Sequence, residues 1–238
     1  MNKQGKGKID WCDLSFNPIT GCNGPEGFKT CPYCYAKSMA ERFRGTPAFP
    51  KGFDPALHED RLGQLAKVRG SKRIFVCSMA DLFGRTVPDA WVVKVMNAIV
   101  ASPHHTYILL TKNPGRMREY ARTGGKANIW WGFSASNGKD YATRHEEMLR
   151  VPVVTRWASL EPLHEGFTPD LAGMSWVVVG AETGSRPGKV PIKQAWVDEI
   201  IRECRTVDET QVPATVAVFV KDNCMMKKPP REFPSGGK

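Results

Sequence analysis

The chain has 238 residues, 41% hydrophobic and 24% charged, with a formal net charge of +10. Such a length buries an ample core without covalent staples, and no apolar run approaches the ~20 residues that cross a bilayer, so a disulfide scaffold and a membrane partner are both excluded. The surplus of 34 basic over 24 acidic residues favours a polyanionic partner, DNA or a nucleotide.

Basic residues crowd both ends, as Lys3, Lys6 and Lys8 and as Lys227, Lys228, Arg231 and Lys238, and are read as solvated tails on one domain spanning 1–238. Seven cysteines stand in a chain whose opening has no signal-peptide pattern. That combination predicts a soluble, cytoplasmic protein, in which clustered cysteines bind metal more often than they pair.

Trp11–Phe16 reads as a first strand, and Asn17-Pro18-Ile19-Thr20-Gly21 as its turn-rich exit. Three cysteines follow in one loop, Cys22, Cys31 and Cys34. Three thiolates are one short of a closed tetrahedral zinc site, whereas a cubane cluster held by three cysteines leaves one iron open. Tyr35–Phe43 has helix-forming composition, which sets the thiols near a helix N-terminus that favours anions.

Further strands are predicted at 73–78, 106–111, 128–134, 151–159, 175–180 and 215–220, as continuous β-branched runs suited to a parallel sheet buried on both faces. Helices are predicted over Asp89–Val100, with Asp89 as its cap, and over Lys193–Cys204, whose Trp196, Val197, Ile200, Ile201 and Cys204 share a face. This alternation predicts an α/β fold, a parallel (β/α) barrel that is partial or complete. Several strands end in polar residues: Ser78 and Asp81, Thr111 and Lys112, Ser134 and Ser136, Glu161, Glu182 and Thr183, Lys221 and Asp222. In βα barrels that rim carries the site.

The ending Cys31-Pro32-Tyr33-Cys34-Tyr35-Ala36, after Asn17-Pro18 and Gly21-Cys22, resembles a phage-encoded three-cysteine family that is radical-SAM-like, SAM being S-adenosylmethionine. Eight residues separate the first two cysteines where the usual radical SAM motif has three, and Phe16 stands where the family has tryptophan. Blocks at 75–83, 109–114, 158–163 and 179–184 extend the resemblance through most of the chain.

The resemblance implies that Cys22, Cys31 and Cys34 ligate a [4Fe–4S] cluster whose fourth iron chelates SAM. Electron transfer from a donor then releases a 5′-deoxyadenosyl radical that removes hydrogen from substrate. It also implies a TIM-like core, with Tyr33, Ser78, Asp81, Thr111, Lys112, Ser134, Glu161 and Glu182 around SAM or substrate. Some members are associated with thymine hypermodification in viral DNA, which implies a modified thymine base as substrate and a host-cytoplasm location if the gene is phage-borne.

Two other readings compete. One is a zinc-binding, nucleic-acid-binding accessory protein with Cys12 as fourth ligand, although only one Cys-x-x-Cys knuckle is present. The other is a non-catalytic protein with free thiols. Cys77, Cys204 and Cys224 have weaker claims: the first two read as core residues, and for Cys224, after a presumed strand end, a place in the site is the minor alternative. The five histidines, among them His58, His145 and His164, form no metal pattern, and one of Trp130 and Trp131 faces the site. Gly180–Arg186 reads as a backbone approach to SAM, with Arg186 available for a phosphate.

Overall fold

A computed structural model of the chain describes residues 1–121, 127–206 and 215–234. Lys238 lies outside the described residues. In chain order the elements are β1 (Asn2–Lys3), β2 (Leu14–Phe16), β3 (Ile19–Thr20), α1 (Tyr35–Arg42), β4 (Ala56–Leu57), α2 (Glu59–Leu62), β5 (Arg73–Val76), α3 (Asp89–Val100), β6 (Thr106–Thr111), α4 (Pro114–Ala121), β7 (Ile129–Ser134), α5 (Gly138–Leu149), β8 (Thr155–Leu160), β9 (Trp176–Val179), α6 (Gln194–Arg205) and β10 (Ala217–Val220).

Eight strands form one sheet in the order β1-β2-β5-β6-β7-β8-β9-β10. Every pair from β2 to β10 is parallel, and β1 is antiparallel to β2. The sheet has two edges, so the α/β fold is a partial barrel. β3 and β4 form a separate antiparallel ribbon.

The alternation of side chains along each strand divides the core in two. Ile74, Val76, Tyr107, Leu109, Trp131, Phe133, Ala158, Leu160, Val177, Val179, Val218 and Val220 face the helices, against Val92, Val95, Ile99, Met148, Val197 and Ile200. Phe75, Ile108, Trp130, Trp157, Trp176, Val178 and Phe219 turn the other way into an aromatic interior. Trp11, on coil before β2, plugs this interior edge-on, 4.7 Å from Phe75, 5.5 Å from Trp157 and 5.9 Å from Trp176 between centroids.

Gly132 makes room for Trp157. It sits in register beside Trp157, and a Cβ there would lie 2.3 Å from the indole. The Trp157 N–H donates to the Leu109 carbonyl at 3.0 Å. At the far end Phe233 packs on Trp176 and Phe219, and Arg73 lies 3.9 Å over its ring.

Several sequence expectations change here. The strand expected from Trp11 is β2 and begins at Leu14, because Trp11 and Cys12 are used as interior packing. The strand expected from 151 begins at Thr155. Asp89 opens α3 with Pro88 at the cap position, and its carboxylate instead accepts from Arg116 and the Tyr120 hydroxyl, each at 2.5 Å. The N-terminal segment is no tail: Asn2–Lys3 pair with β2, and the Met1 amine donates to Gln64 Oε1 at 2.8 Å.

Candidate active site

The two-residue period that builds the aromatic interior also builds the site above it. Continuing along the interior face, Ile108 and Leu110 lead to Lys112, and Trp130 and Gly132 lead to Ser134. Trp157 leads to Ser159 and Glu161, and Phe219 leads to Lys221. A layer of hydroxyls and charges therefore caps a tryptophan floor at the C-terminal ends of parallel strands. A cavity of about 910 Å³ opens there.

Cys22, Cys31, Tyr33, Cys34, Ser78, Asp81, Thr111, Lys112, Ser134, Glu161 and Glu182 line this one cavity, as do the strand-end residues Thr183 and Lys221, whereas Ser136 and Asp222 do not. Their roles differ. Asp81 accepts from the Thr111 hydroxyl at 2.6 Å, the Lys112 N–H at 2.9 Å and the Phe83 N–H at 3.0 Å. Burial pushes its pKa up, against the pull of those donors. Asp81 thus ties the β5 exit to the β6 exit.

Ser78 donates to Asn17 Oδ1 at 3.1 Å, and the Met79 N–H donates to the same oxygen. Glu161 pairs with Lys221 at 2.8 Å across the mouth. Burial opposes the charge on Lys221, yet the carboxylate beside it leaves its pKa raised overall. Gly180 gives Glu161 its space, since a Cβ there would lie 2.8 Å from Oε2.

Glu182 is buried and already bound on both oxygens. It pairs with Arg186 at 2.7 Å and with His164 Nε2 at 3.0 Å. The Arg186 hydrogen bond holds its carboxyl below the usual range against the effect of burial. Arg186 also donates to the Pro187 and Gly188 carbonyls, so the expectation that it stands ready for a phosphate is corrected: its donors are used within its own loop.

The cysteine loop forms the cavity's opposite wall. Gly24 turns it with φ +79°, and a Cβ there would fall 1.8 Å from the Lys29 carbonyl oxygen. Its N–H donates to Cys22 Sγ at 3.3 Å. Cys34 is the N-cap residue of α1.

Burial, the Asp81 carboxylate and the charges of Cys31 and Cys34 push the Cys22 thiol up to about 12. Cys34 is raised by burial too, with the Ala36 and Lys37 amides pulling it back. A cation taken up by these thiols would release their protons on binding. Among the described residues, no group of three or more His, Cys, Asp or Glu side chains is already arranged to hold a metal ion.

Tyr33, inside the Cys-x-x-Cys, pins this wall to the barrel rim. Its hydroxyl accepts from Lys112 Nζ at 2.9 Å and meets the Ser136 hydroxyl at 3.2 Å. Its ring stands edge-on to His164 at 4.9 Å. Tyr33→Phe should leave the ammonium without its acceptor and lower stability by about 1–2 kcal/mol, read as a shift of the urea midpoint; an unchanged midpoint would show that the tether contributes nothing.

Residues 6–219 match the model of a protein family of unknown function, DUF5131. The chain belongs to that family. No curated protein matches this DUF5131 member. Among solved structures it is similar to a cysteine-to-alanine mutant of spore photoproduct lyase with dinucleoside spore photoproduct, at 13% identity and a TM-score of 0.49. The match covers 79% of this chain and 60% of that one, so the chain spans less than two thirds of that protein's length.

Cys12 stands apart from the loop of this DUF5131 protein. It packs in the aromatic interior, donates to the Ile9 carbonyl, and burial pushes its thiol up to about 12. Cys22 and Cys34 instead adjoin a separate cluster with Phe49, Phe53 and Met79. The fourth ligand of the zinc reading is thus occupied elsewhere. Cys224 does not reach the cavity; it lies in the helix-side core and its thiol donates to the Val179 carbonyl. Cys77 and Cys204 are core residues.

His58 and His145 are locally bonded, to the Thr20 hydroxyl and the Ala172 carbonyl. Trp130 joins the aromatic floor while Trp131 packs against the helices. Asn17, which lines the cavity, and His164, which binds Glu182, are residues whose importance the sequence left unmarked. The Asn17-Pro18 turn was the signal for the first, and the second carries none.

Proposed function

We propose that this cavity is the active site of a radical SAM enzyme, in which Cys22, Cys31 and Cys34 hold a [4Fe–4S] cluster and the barrel mouth holds SAM. The observation that carries the reading is the position of three thiols on one loop, facing the polar strand ends across a single cavity. The donor set fits the group: soft thiolates suit iron–sulfur clusters, and three of them leave one iron for a cosubstrate. To hold the cluster, the thiols of Cys22, Cys31 and Cys34 would have to lose their protons. When bound, the cluster and SAM supply a carbon-centred radical able to remove a non-acidic hydrogen.

The chain's own residues supply binding, orientation and a dry floor. The Ser78, Thr111 and Ser134 hydroxyls and the Glu161–Lys221 pair suit the ribose and the amino and carboxylate groups of SAM. Tyr33 walls the adenine side. Asp81 and Glu182, with their oxygens occupied, hold the β5–β6 rim and the 182–186 loop in place. An electron donor completes the system.

For substrate we favour a modified thymine base in phage DNA, and for reaction the isomerisation of an N-linked glycyl thymidine to its carbon-linked form. One hydrogen leaves the glycyl carbon, the bond to the ring migrates, and a hydrogen returns, so mass is conserved. The polymer also supplies the polyanion that a +10 protein attracts. In this reading the whole chain, 1–238, acts as one domain in the host cytoplasm.

Incubating the reconstituted protein with SAM, a reductant and such DNA should yield 5′-deoxyadenosine together with a nucleoside of altered retention and unchanged mass. Unaltered nucleosides, with equal 5′-deoxyadenosine in the absence of DNA, would refute the substrate assignment.

A further inference from the structure

Helix α1 shows solvent a stripe that a buried-core account leaves unused. Ala36 and Ala40 face inward. Tyr35, Met39 and Phe43, four residues apart and therefore on one face, are 47%, 44% and 45% exposed, and Phe28 on the preceding loop is 79% exposed. Tyr35 and Met39 also line the cavity, so the stripe runs outward from its mouth.

Exposed cations are interleaved with these rings rather than set around them. Between residues 28 and 51 the basic residues are Lys29, Lys37, Arg42, Arg44 and Lys51, and the one acidic residue, Glu41, pairs with Arg44 at 2.6 Å. Arg42 lies 5.5 Å over the Phe43 ring.

From this we infer that the α1 face, with Phe28, is a docking track for single-stranded nucleic acid that leads a base into the cavity. The inference rests on the base-modifying reading above and adds that the substrate is taken as polymer, in unpaired form. Surfaces that bind single strands combine rings for base stacking with cations along the backbone. The cores of protein–protein interfaces are depleted in charge, lysine included, so an acidic redox partner fits this mixed face less well. A base inside a duplex would also be out of reach of a cavity floored by tryptophans unless it left the stack.

The test measures binding of labelled oligothymidylate to the full-length, cluster-loaded protein by fluorescence anisotropy over a salt series. Phe28→Ala/Phe43→Ala should weaken binding at least ~10-fold through lost stacking. Lys29→Glu/Arg42→Glu should weaken it as well and flatten the slope of log affinity against log salt by about 1.4, the value for two phosphates on a single strand. Both double variants should cleave SAM at the parent rate, since none of these four residues lines the cavity.

Unchanged oligothymidylate affinity in both variants would overturn the inference. So would unchanged affinity combined with slower reduction of the cluster by an acidic flavoprotein, which would assign the face to a redox partner. Binding is read without turnover, so a protein that binds the strand through this face but never cleaves SAM would sink the radical reading and leave the track standing.

Discussion

Replacing Cys22, Cys31 or Cys34 by alanine is expected to remove the iron–sulfur cluster and reduce SAM cleavage to background, one cysteine at a time. Each thiolate would hold a different iron, and two ligands do not retain a cubane built on three. Cys12→Ala should keep both iron and activity, because that side chain packs among the aromatic interior residues and its thiol is pushed up to about 12 by burial. Iron and sulfide content after anaerobic reconstitution gives the comparison. Loss of metal in Cys12→Ala together with the loop variants would point to a four-thiolate zinc site instead.

The second large effect is on stability and centres on Trp157. It is fully buried, touches Trp11 and Trp176, and occupies the space that Gly132 leaves open. Trp157→Ala should cost about 3–5 kcal/mol through lost contacts and the cavity left behind. Gly132→Ala should cost about 1–3 kcal/mol by driving a methyl group into the indole. The two must couple, because removal of the indole also removes the clash. In the Trp157→Ala background the added methyl should cost little. Urea denaturation of all four proteins checks this, and strictly additive costs would show that the two side chains do not compete for one space.

The sheet was readable because its strands carry continuous β-branched and aromatic runs, and because Asp89–Val100 and Gln194–Arg205 keep helical spacing. What lay hidden was the division of the sheet's two faces. A run such as Ile129-Trp130-Trp131 reads as uniformly buried, and only the fold shows that Trp130 floors the site while Trp131 joins the helices.

The candidate site was legible as a set of strand-end polar residues, since a period of two places Lys112, Ser134, Glu161 and Lys221 directly beyond interior positions. Their internal commitments were not legible. The binding of Glu182 by both Arg186 and His164 depends on two loops meeting, and neither loop encodes the other. The β5 exit broke the pattern for a local reason. Cys77 adopts φ +62°, which takes it out of the strand's alternation and into the helix-side core. Ser78 then takes its place at the rim, hydrogen-bonded to Asn17.

The central claim is that one loop of three thiols holds a cluster whose open iron takes SAM. Its most direct test is to reduce the anaerobically reconstituted, unmodified protein with dithionite, add SAM, and quantify methionine and 5′-deoxyadenosine by mass spectrometry. The account predicts about four irons per chain and equal amounts of the two products, both absent without reductant. Zinc in place of iron after reconstitution, or a full iron complement with SAM left intact, would contradict it.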